Sequence, residues 1–101
     1  MRRAVIDLGT NTFNLLIADT QKRQILFQTK IGVALGMGGI NEKRLSPAAI
    51  QRAFEALQKF KDKCDAIEVN SIRAIGTSAM RDATNADELI EKVATELKIS
   101  I

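Results

Sequence analysis

A carboxylate, a glycine and three small polar residues follow one another near the start of the chain, at residues 7–12 (DLGTNT). Apolar runs lie on both sides, so this segment is expected to be the turn between two strands. Backbone amides and hydroxyl groups of such a turn are able to surround a phosphate, while the adjacent carboxylate binds Mg²⁺ together with water. The pattern indicates a site for phosphate and metal, although an ordinary polar hairpin turn has the same composition.

A second group of small polar residues, at positions 76–82 (GTSAMRD), follows an apolar run. If that run is a parallel strand, the group lies at the carboxyl end of the strand, where open α/β sheets bind ligands. Hydroxyl groups and an arginine at this place suit contacts with an oxyanion. The alternative is a plain connecting loop whose Arg81 pairs with Asp82 or Asp87. The two groups together favour a shared phosphate site, because the strands before them are expected to be neighbours.

The composition excludes several kinds of site. The chain has no histidine, which removes Ser–His and Cys–His catalytic pairs and histidine metal sites. Its one cysteine fits a reducing compartment, so a cytoplasmic protein is expected. The net charge is +3, and the basic residues are scattered with few aromatic residues between them. A small anionic ligand is therefore expected, with no nucleic-acid duplex and no membrane span.

The apolar pattern predicts the strands that position these two groups. The first three are expected to be antiparallel and the later ones to join in parallel through helices. The strands are predicted at residues 3–9, 13–19, 24–35, 66–75 and 98–101. The predicted fold class is α/β, with a five-stranded mixed sheet and the order β-β-β-α-β-α-β.

Two helices are predicted between the later strands. The first begins at Ser46-Pro47, because serine is a common N-cap and proline fits the first helical turn, and it runs to about Lys63. The second begins near Asn85, which forms a capping-box pattern with Glu88. The glycine cluster at residues 36–39 lacks the pattern of a P-loop and is interpreted as a flexible connection.

The sequence resembles the exopolyphosphatase and guanosine pentaphosphate phosphohydrolase family, a branch of the actin-like ATPase and sugar-kinase superfamily. The resemblance extends over essentially the whole chain. It rests on residues 4–17 (AVIDLGTNTFNLLI), on Leu45-Ser46 with Ala49, Ile50 and Ala53, and on residues 75–86 (IGTSAMRDATNA). Sugar kinases and chaperones share the first stretch, whereas the last stretch, at this distance, is specific to the phosphatases. The resemblance implies a ribonuclease H-like fold and hydrolysis of terminal phosphoanhydride bonds.

The same resemblance implies roles for individual residues. Asp7 is expected beside Mg²⁺, or another divalent cation, or beside the attacking water. The residues expected to contact phosphate are Gly9, Thr10, Asn11, Thr12, Thr77, Ser78 and Arg81. The implied ligand is inorganic polyphosphate or guanosine pentaphosphate or tetraphosphate, and a homodimer is one expectation for the intact protein.

The chain departs from the family's pattern in two ways. In the family, a general-base glutamate follows the fifth strand, in a Ser-Gly-x-x-Glu-Ala-like segment, and a second glycine-rich phosphate loop comes later. This sequence stops at Ile101, before both and within a predicted strand. Residues 1–101 are therefore expected to be the first part of the N-terminal ribonuclease H-like domain, inactive when isolated. Several relatives also carry a basic residue near Gly32, for which Lys30 is the expected substitute.

Two other functions remain open. One is a kinase or ATPase of the same superfamily. The other is a non-catalytic module that binds polyphosphate or guanosine tetraphosphate, because no general base is expected within these residues. The preference between polyphosphate and pentaphosphate depends, in the family, on parts outside this sequence.

Overall fold

The computed structural model describes residues 1–35, 44–77, 80 and 83–101. These residues form four strands and two helices in an α/β arrangement, which confirms the predicted fold class. The elements are β1 (Arg2–Leu8), β2 (Thr12–Asp19), β3 (Gln24–Gly32), α1 (Pro47–Ala66), β4 (Ser71–Gly76) and α2 (Ala86–Leu97).

The strands form one mixed sheet in the order β3-β2-β1-β4. β1 is an inner strand that pairs antiparallel with β2 and parallel with β4. β2 and β3 pair antiparallel as well. The parallel β1–β4 pair places the end of β4 beside the end of β1, as the sequence predicts for neighbouring strands.

The core lies on one face of the sheet, between the strands and the two helices. Every second residue of β1 points into it, because side chains alternate between the faces of a strand. The largest fully buried side chains are Phe13, Phe60, Ile6, Leu8, Leu15, Ile17, Leu35, Leu57, Leu89, Ile99, Val33 and Val93. Each stabilises the fold by about 1.5–3 kcal/mol through burial. Among the described helices, none has the length and apolar character needed to cross a membrane.

The turn between β2 and β3 is organised by Asp19. Its carboxylate accepts hydrogen bonds from the backbone amides of Gln21, at 3.0 Å, and Lys22, at 3.1 Å. The amide of Lys22, followed by that of Gln21, holds the pKa of Asp19 below its ordinary value because both favour the charged carboxylate. Arg23 then adopts a positive φ of 50°, which reverses the chain into β3.

Helix α1 begins where the sequence predicts. The Ser46 hydroxyl accepts a hydrogen bond from the Ala49 amide at 3.0 Å, and Pro47 occupies the first helical position. The helix continues to Ala66, past the predicted end near Lys63. The last buried apolar residue of α1 is Cys64. The apolar stripe therefore marks the buried part of the helix and not the position where the helix ends.

The capping box predicted for the second helix is not formed. Asn85 precedes α2, but its side chain makes no capping hydrogen bond. Its amide group instead pairs with the backbone of Leu45, accepting from the Leu45 N–H at 2.7 Å and donating to the Leu45 carbonyl at 2.9 Å. Asn85 is the buried polar residue of the described chain, so this pairing satisfies groups that water does not reach.

Replacing Asn85 by alanine is expected to lower the free energy of unfolding by about 1–3 kcal/mol, because both backbone groups of Leu45 would lose their partner in a buried place. Chemical denaturation measures the change. The control is Thr84→Ala at the exposed neighbouring position, which is expected to stay within about 0.5 kcal/mol of the parent. Equal stability of the two variants would contradict the assigned role of the Asn85 pairing.

The fifth predicted strand does not form in the described residues. Lys98 ends α2 in the left-handed conformation, with φ 59°, and so turns the chain away from the helix axis at the first position of the expected strand. Residues 98–101 pair with no described strand, although Ile99 is buried in the core. Within the described residues, Ile99 contributes to the core by packing, and the sheet has four strands.

Candidate functional site

Asp7 lies near the end of β1, on the face of the sheet opposite the core. Its neighbours across the sheet are Asn14 of β2 and Ile75 of β4, and Lys30 of β3 pairs with Asn14 in turn. The side chain of Asp7 is exposed, so its carboxylate is accessible to a cation or to water. Lys30 lies in the same cross-strand row, about 10 Å away across two strand spacings. The substitution of Lys30 for the family's basic residue stays a prediction.

The turn at residues 9–12, called the Gly9 turn below, connects β1 and β2. It is closed by a hydrogen bond of 3.1 Å from the Gly9 amide to the Thr12 carbonyl. A Cβ atom at Gly9 would lie 2.7 Å from that carbonyl oxygen. Glycine is therefore required here by the turn's own backbone, whereas the sequence had suggested only the approach of an anion.

The carbonyls of the Gly9 turn are held by the chain just after β3. The Leu35 amide donates to the Thr10 carbonyl at 2.8 Å. The amides of Val33 and Ala34 both donate to the Asn11 carbonyl, at 2.8 and 3.0 Å. These contacts explain why β3 ends at Gly32 and not at Leu35, because the last residues leave the ladder to bind the turn.

This arrangement directs two of the turn's amides away from residues 33–35. The turn's peptide bonds are trans, as are the others in the described part of the chain, and in a planar trans peptide the N–H points opposite to the carbonyl. With the Thr10 and Asn11 carbonyls turned toward residues 33–35, the N–H groups of Asn11 and Thr12 point the other way. Among the described residues, no hydrogen bond uses the Thr10 or Asn11 amide. Together with the hydroxyl groups of Thr10 and Thr12, these amides can form a nest for an anion.

Thr77, the residue after β4, binds the last residue of β1, next to the Gly9 turn. Its amide donates to the Leu8 carbonyl at 3.1 Å, and its hydroxyl donates to the same oxygen at 2.7 Å. Thr77 of the second polar group therefore lies beside the start of the first one, at the carboxyl ends of β1 and β4. The Thr77 proton is used within the protein, so the expected contact of Thr77 with phosphate stays a prediction and the tie between the loops is its observed role.

The rest of the second group is described only in part. Ser78 and Arg81, both expected to contact phosphate, lie outside the described residues. Met80 is buried, and a Cβ atom at Gly76 would lie 2.9 Å from the Met80 Cβ. The absence of a side chain at Gly76 thus lets Met80 pack closely against the end of β4.

The described residues contain no group of three or more carboxylate or thiol side chains that could hold a metal ion. Mg²⁺ does not need such a group, because it keeps several waters and takes one or two carboxylates. The exposed carboxylate of Asp7 fits this mode. Cys64 does not enter the site, because it is buried on α1 and burial raises the pKa of its thiol.

Sequence reasoning missed one residue near the site. Helical spacing alone places Arg52 on the polar side of α1, yet it is half-buried and donates to the backbone carbonyls of Val33 and Ala34. Its spacing along the helix does not distinguish it from Gln51 or Glu55, so no local signal in the sequence points to these contacts.

Residues 16–101 match the Ppx/GppA phosphatase family. The chain belongs to this family. The Ppx/GppA match includes β4 and the polar group after it, and the sequence before residue 16 contributes β1 and the Gly9 turn.

Curated Ppx/GppA relatives support the assignment. The bifunctional 3-dehydroquinate synthase/phosphatase of Fusobacterium nucleatum is 41% identical over 108 aligned residues, covering 98% of this chain and 16% of that protein. The guanosine-5'-triphosphate,3'-diphosphate pyrophosphatase of Aeromonas hydrophila is 36% identical over 100 residues, covering 97% of this chain and 20% of that protein.

Solved Ppx/GppA structures have the same fold. An exopolyphosphatase from Cytophaga hutchinsonii superposes with a TM-score of 0.94 at 40% identity, over 99% of this chain and 33% of the other. The Aquifex aeolicus family member gives 0.90 at 30% identity, over 99% and 34% of the two chains. The chain thus spans about a sixth to a third of the length of these relatives.

Proposed function

We propose that the protein hydrolyses terminal phosphoanhydride bonds of inorganic polyphosphate or guanosine pentaphosphate. Membership of the Ppx/GppA phosphatase family supports this proposal, as do a pyrophosphatase and an exopolyphosphatase among the relatives. The observation that carries it is the pair of hydrogen bonds from Thr77 to the Leu8 carbonyl, which joins the residue after β4 to the last residue of β1, next to the Gly9 turn.

In this proposal the Gly9 turn binds a phosphate of the substrate. The N–H groups of Asn11 and Thr12 and the hydroxyl groups of Thr10 and Thr12 are the donors, and they are oriented before the ligand arrives. Preoriented donors stabilise charge that develops on a transferred phosphoryl group without reorganising during the reaction. Ser78 and Arg81 are proposed to contact the neighbouring phosphate.

Asp7 is proposed to hold Mg²⁺ or another divalent cation through its exposed carboxylate. Such an ion, when bound, neutralises phosphate charge and lowers the pKa of a bound water. The carboxylate itself orients water near the carboxyl end of β1, between Asn14 and Ile75. The general base is proposed to come from sequence beyond these residues, as the resemblance implies.

Phosphate release by the full-length polypeptide tests the proposal. Polyphosphate, guanosine pentaphosphate and ATP are supplied separately, each with Mg²⁺ and with a chelator. Release from one of the first two substrates, lost on chelation, is the expected result. Turnover of ATP alone would indicate a kinase or ATPase, and binding of polyphosphate without release would indicate the non-catalytic module. The isolated 101-residue chain is expected to release no phosphate from any of them.

We further propose that the protein works in the cytoplasm. A single cysteine, present as a buried free thiol, supports a reducing compartment. Homodimer formation stays a prediction.

A further inference from the structure

We infer that Arg52 is a positioning residue for the Gly9 turn and fixes the direction of the amides that bind phosphate. The inference rests on the phosphate-binding role proposed for that turn. Arg52 belongs to α1 and lies outside both polar groups recognised in the sequence, so it would act through the backbone and not by touching the ligand.

Arg52 forms two hydrogen bonds to consecutive backbone carbonyls. Its Nε donates to the Val33 carbonyl at 2.8 Å, and its Nη2 donates to the Ala34 carbonyl at 2.9 Å. The side chain is half-buried, which strengthens charge-assisted hydrogen bonds relative to those made in water. The guanidinium therefore fixes two adjacent peptide groups at once.

Each of these two peptide groups continues to the Gly9 turn. The peptide whose carbonyl belongs to Val33 carries the Ala34 N–H, which donates to Asn11. The peptide whose carbonyl belongs to Ala34 carries the Leu35 N–H, which donates to Thr10. Two parallel chains of hydrogen bonds, called the relays below, thus connect the Arg52 guanidinium to the turn. Each passes through one peptide group and ends at one carbonyl, that of Thr10 or that of Asn11.

The relays end on the proposed phosphate donors. The carbonyls of Thr10 and Asn11 belong to the peptides that carry the N–H groups of Asn11 and Thr12. Because a chain of hydrogen bonds polarises each member, a cation at one end makes the N–H groups at the other end better donors. Arg52 therefore orients these amides and also strengthens them.

The backbone between the two peptides supports this role independently. Ala34 has φ 45°, in the left-handed region that residues other than glycine rarely adopt. Ala34 joins the two peptide groups, each of which presents its carbonyl to Arg52 and its N–H to the turn. Its cost is offset by the hydrogen bonds on both sides, so the loss of Arg52 should release it.

The test compares three variants of the full-length polypeptide. Arg52→Gln removes the charge and one of the two directed donors, and Arg52→Lys keeps the charge but not the rigid fork. Lys59→Gln, an exposed position on the same helix, controls for the loss of one positive charge. Hydrogen–deuterium exchange is followed in peptides covering residues 33–35 and 9–12, and affinity is measured with inorganic tripolyphosphate.

For Arg52→Gln we expect exchange at the amides of residues 33–35 and of Gly9, which are hydrogen-bonded in the structure, to accelerate roughly tenfold or more, and tripolyphosphate affinity to fall by a similar factor. Arg52→Lys should lie between this variant and the parent, and Lys59→Gln should match the parent. Unchanged exchange at residues 33–35 in Arg52→Gln would overturn the inference. If the parent binds tripolyphosphate, faster exchange in Arg52→Gln with the affinity of the parent would overturn it as well.

The test separates this inference from the proposed function. If the parent itself does not bind tripolyphosphate, the proposed function fails, while exchange at residues 33–35 and at the Gly9 amide still decides whether Arg52 holds the turn. If Arg52→Gln does not fold, Arg52→Lys decides. Faster exchange confined to the two segments supports the role, and a uniform increase along the chain overturns it.

Discussion

Replacing Asp7 by asparagine is expected to lower phosphate release by the full-length protein roughly a hundred- to ten-thousandfold, in line with the loss of a group that acts on the reacting water or its cation. The side chain is exposed on the face away from the core, and asparagine has nearly the same shape. The strand and its pairing should therefore survive, so the loss reports chemistry rather than folding. Initial rates at saturating substrate measure it.

The dependence on Mg²⁺ concentration distinguishes the two roles of Asp7. If the carboxylate holds the cation, raising Mg²⁺ should restore part of the rate, because binding is weakened but not abolished. If it only orients water, added Mg²⁺ should have no effect. Glu91→Gln, at an exposed position of α2, provides the charge control and should keep full turnover. Full turnover in Asp7→Asn would remove Asp7 from the mechanism.

Replacing Gly9 by alanine is expected to destabilise the protein by about 1–3 kcal/mol, since the added methyl group meets a backbone atom that cannot move aside. The new Cβ would lie 2.7 Å from the Thr12 carbonyl oxygen. To relieve this contact the turn must open, which breaks the hydrogen bond between the Gly9 amide and the same oxygen. Displaced phosphate donors should lower phosphate release roughly a hundredfold.

Gly32→Ala is the matched control for this substitution. A Cβ atom at Gly32 meets nothing within 4 Å, and the residue ends β3, the strand next to the Gly9 turn. Stability should stay within about 0.5 kcal/mol of the parent, with normal turnover. Denaturant titration and phosphate release are measured on both variants. If both variants lost similar amounts of stability and turnover, any added methyl group near the turn would be harmful. That result would contradict the specific contact assigned to Gly9.

Local patterns in the sequence predicted much of the fold because the signals act over short distances. Two apolar runs located β1 and β2, and a serine before a proline located the start of α1. The errors lie where a distant partner decides. The side chain of Asn85 bonds to the backbone of Leu45, 40 positions away. The amides of residues 33–35 bond to the Gly9 turn and do not extend β3. No window of a few residues contains either partner.

The candidate site was predictable to a similar extent. Residue types located the Gly9 turn, and the expected parallel pairing of β1 with β4 brought Thr77 to it. The directions of the peptide groups were not predictable, because they depend on backbone angles that small polar residues all tolerate. Arg52 was missed for a different reason: its target is a backbone carbonyl 19 positions earlier, and a carbonyl carries no sequence signature.

The sheet order has a consequence for the way the chain folds. β1, β2 and β3 form a meander whose partners are close in sequence, whereas Thr77 and Leu8 are 69 positions apart. Contacts of such long range form late, because a large loop must close before they stabilise anything. During synthesis the side of β1 that pairs with β4 therefore stays unpaired until α1 and β4 have left the ribosome. Thr77 and the Gly9 turn come together only at that last pairing, so an intermediate with a complete meander lacks the junction on which the proposed phosphate binding depends.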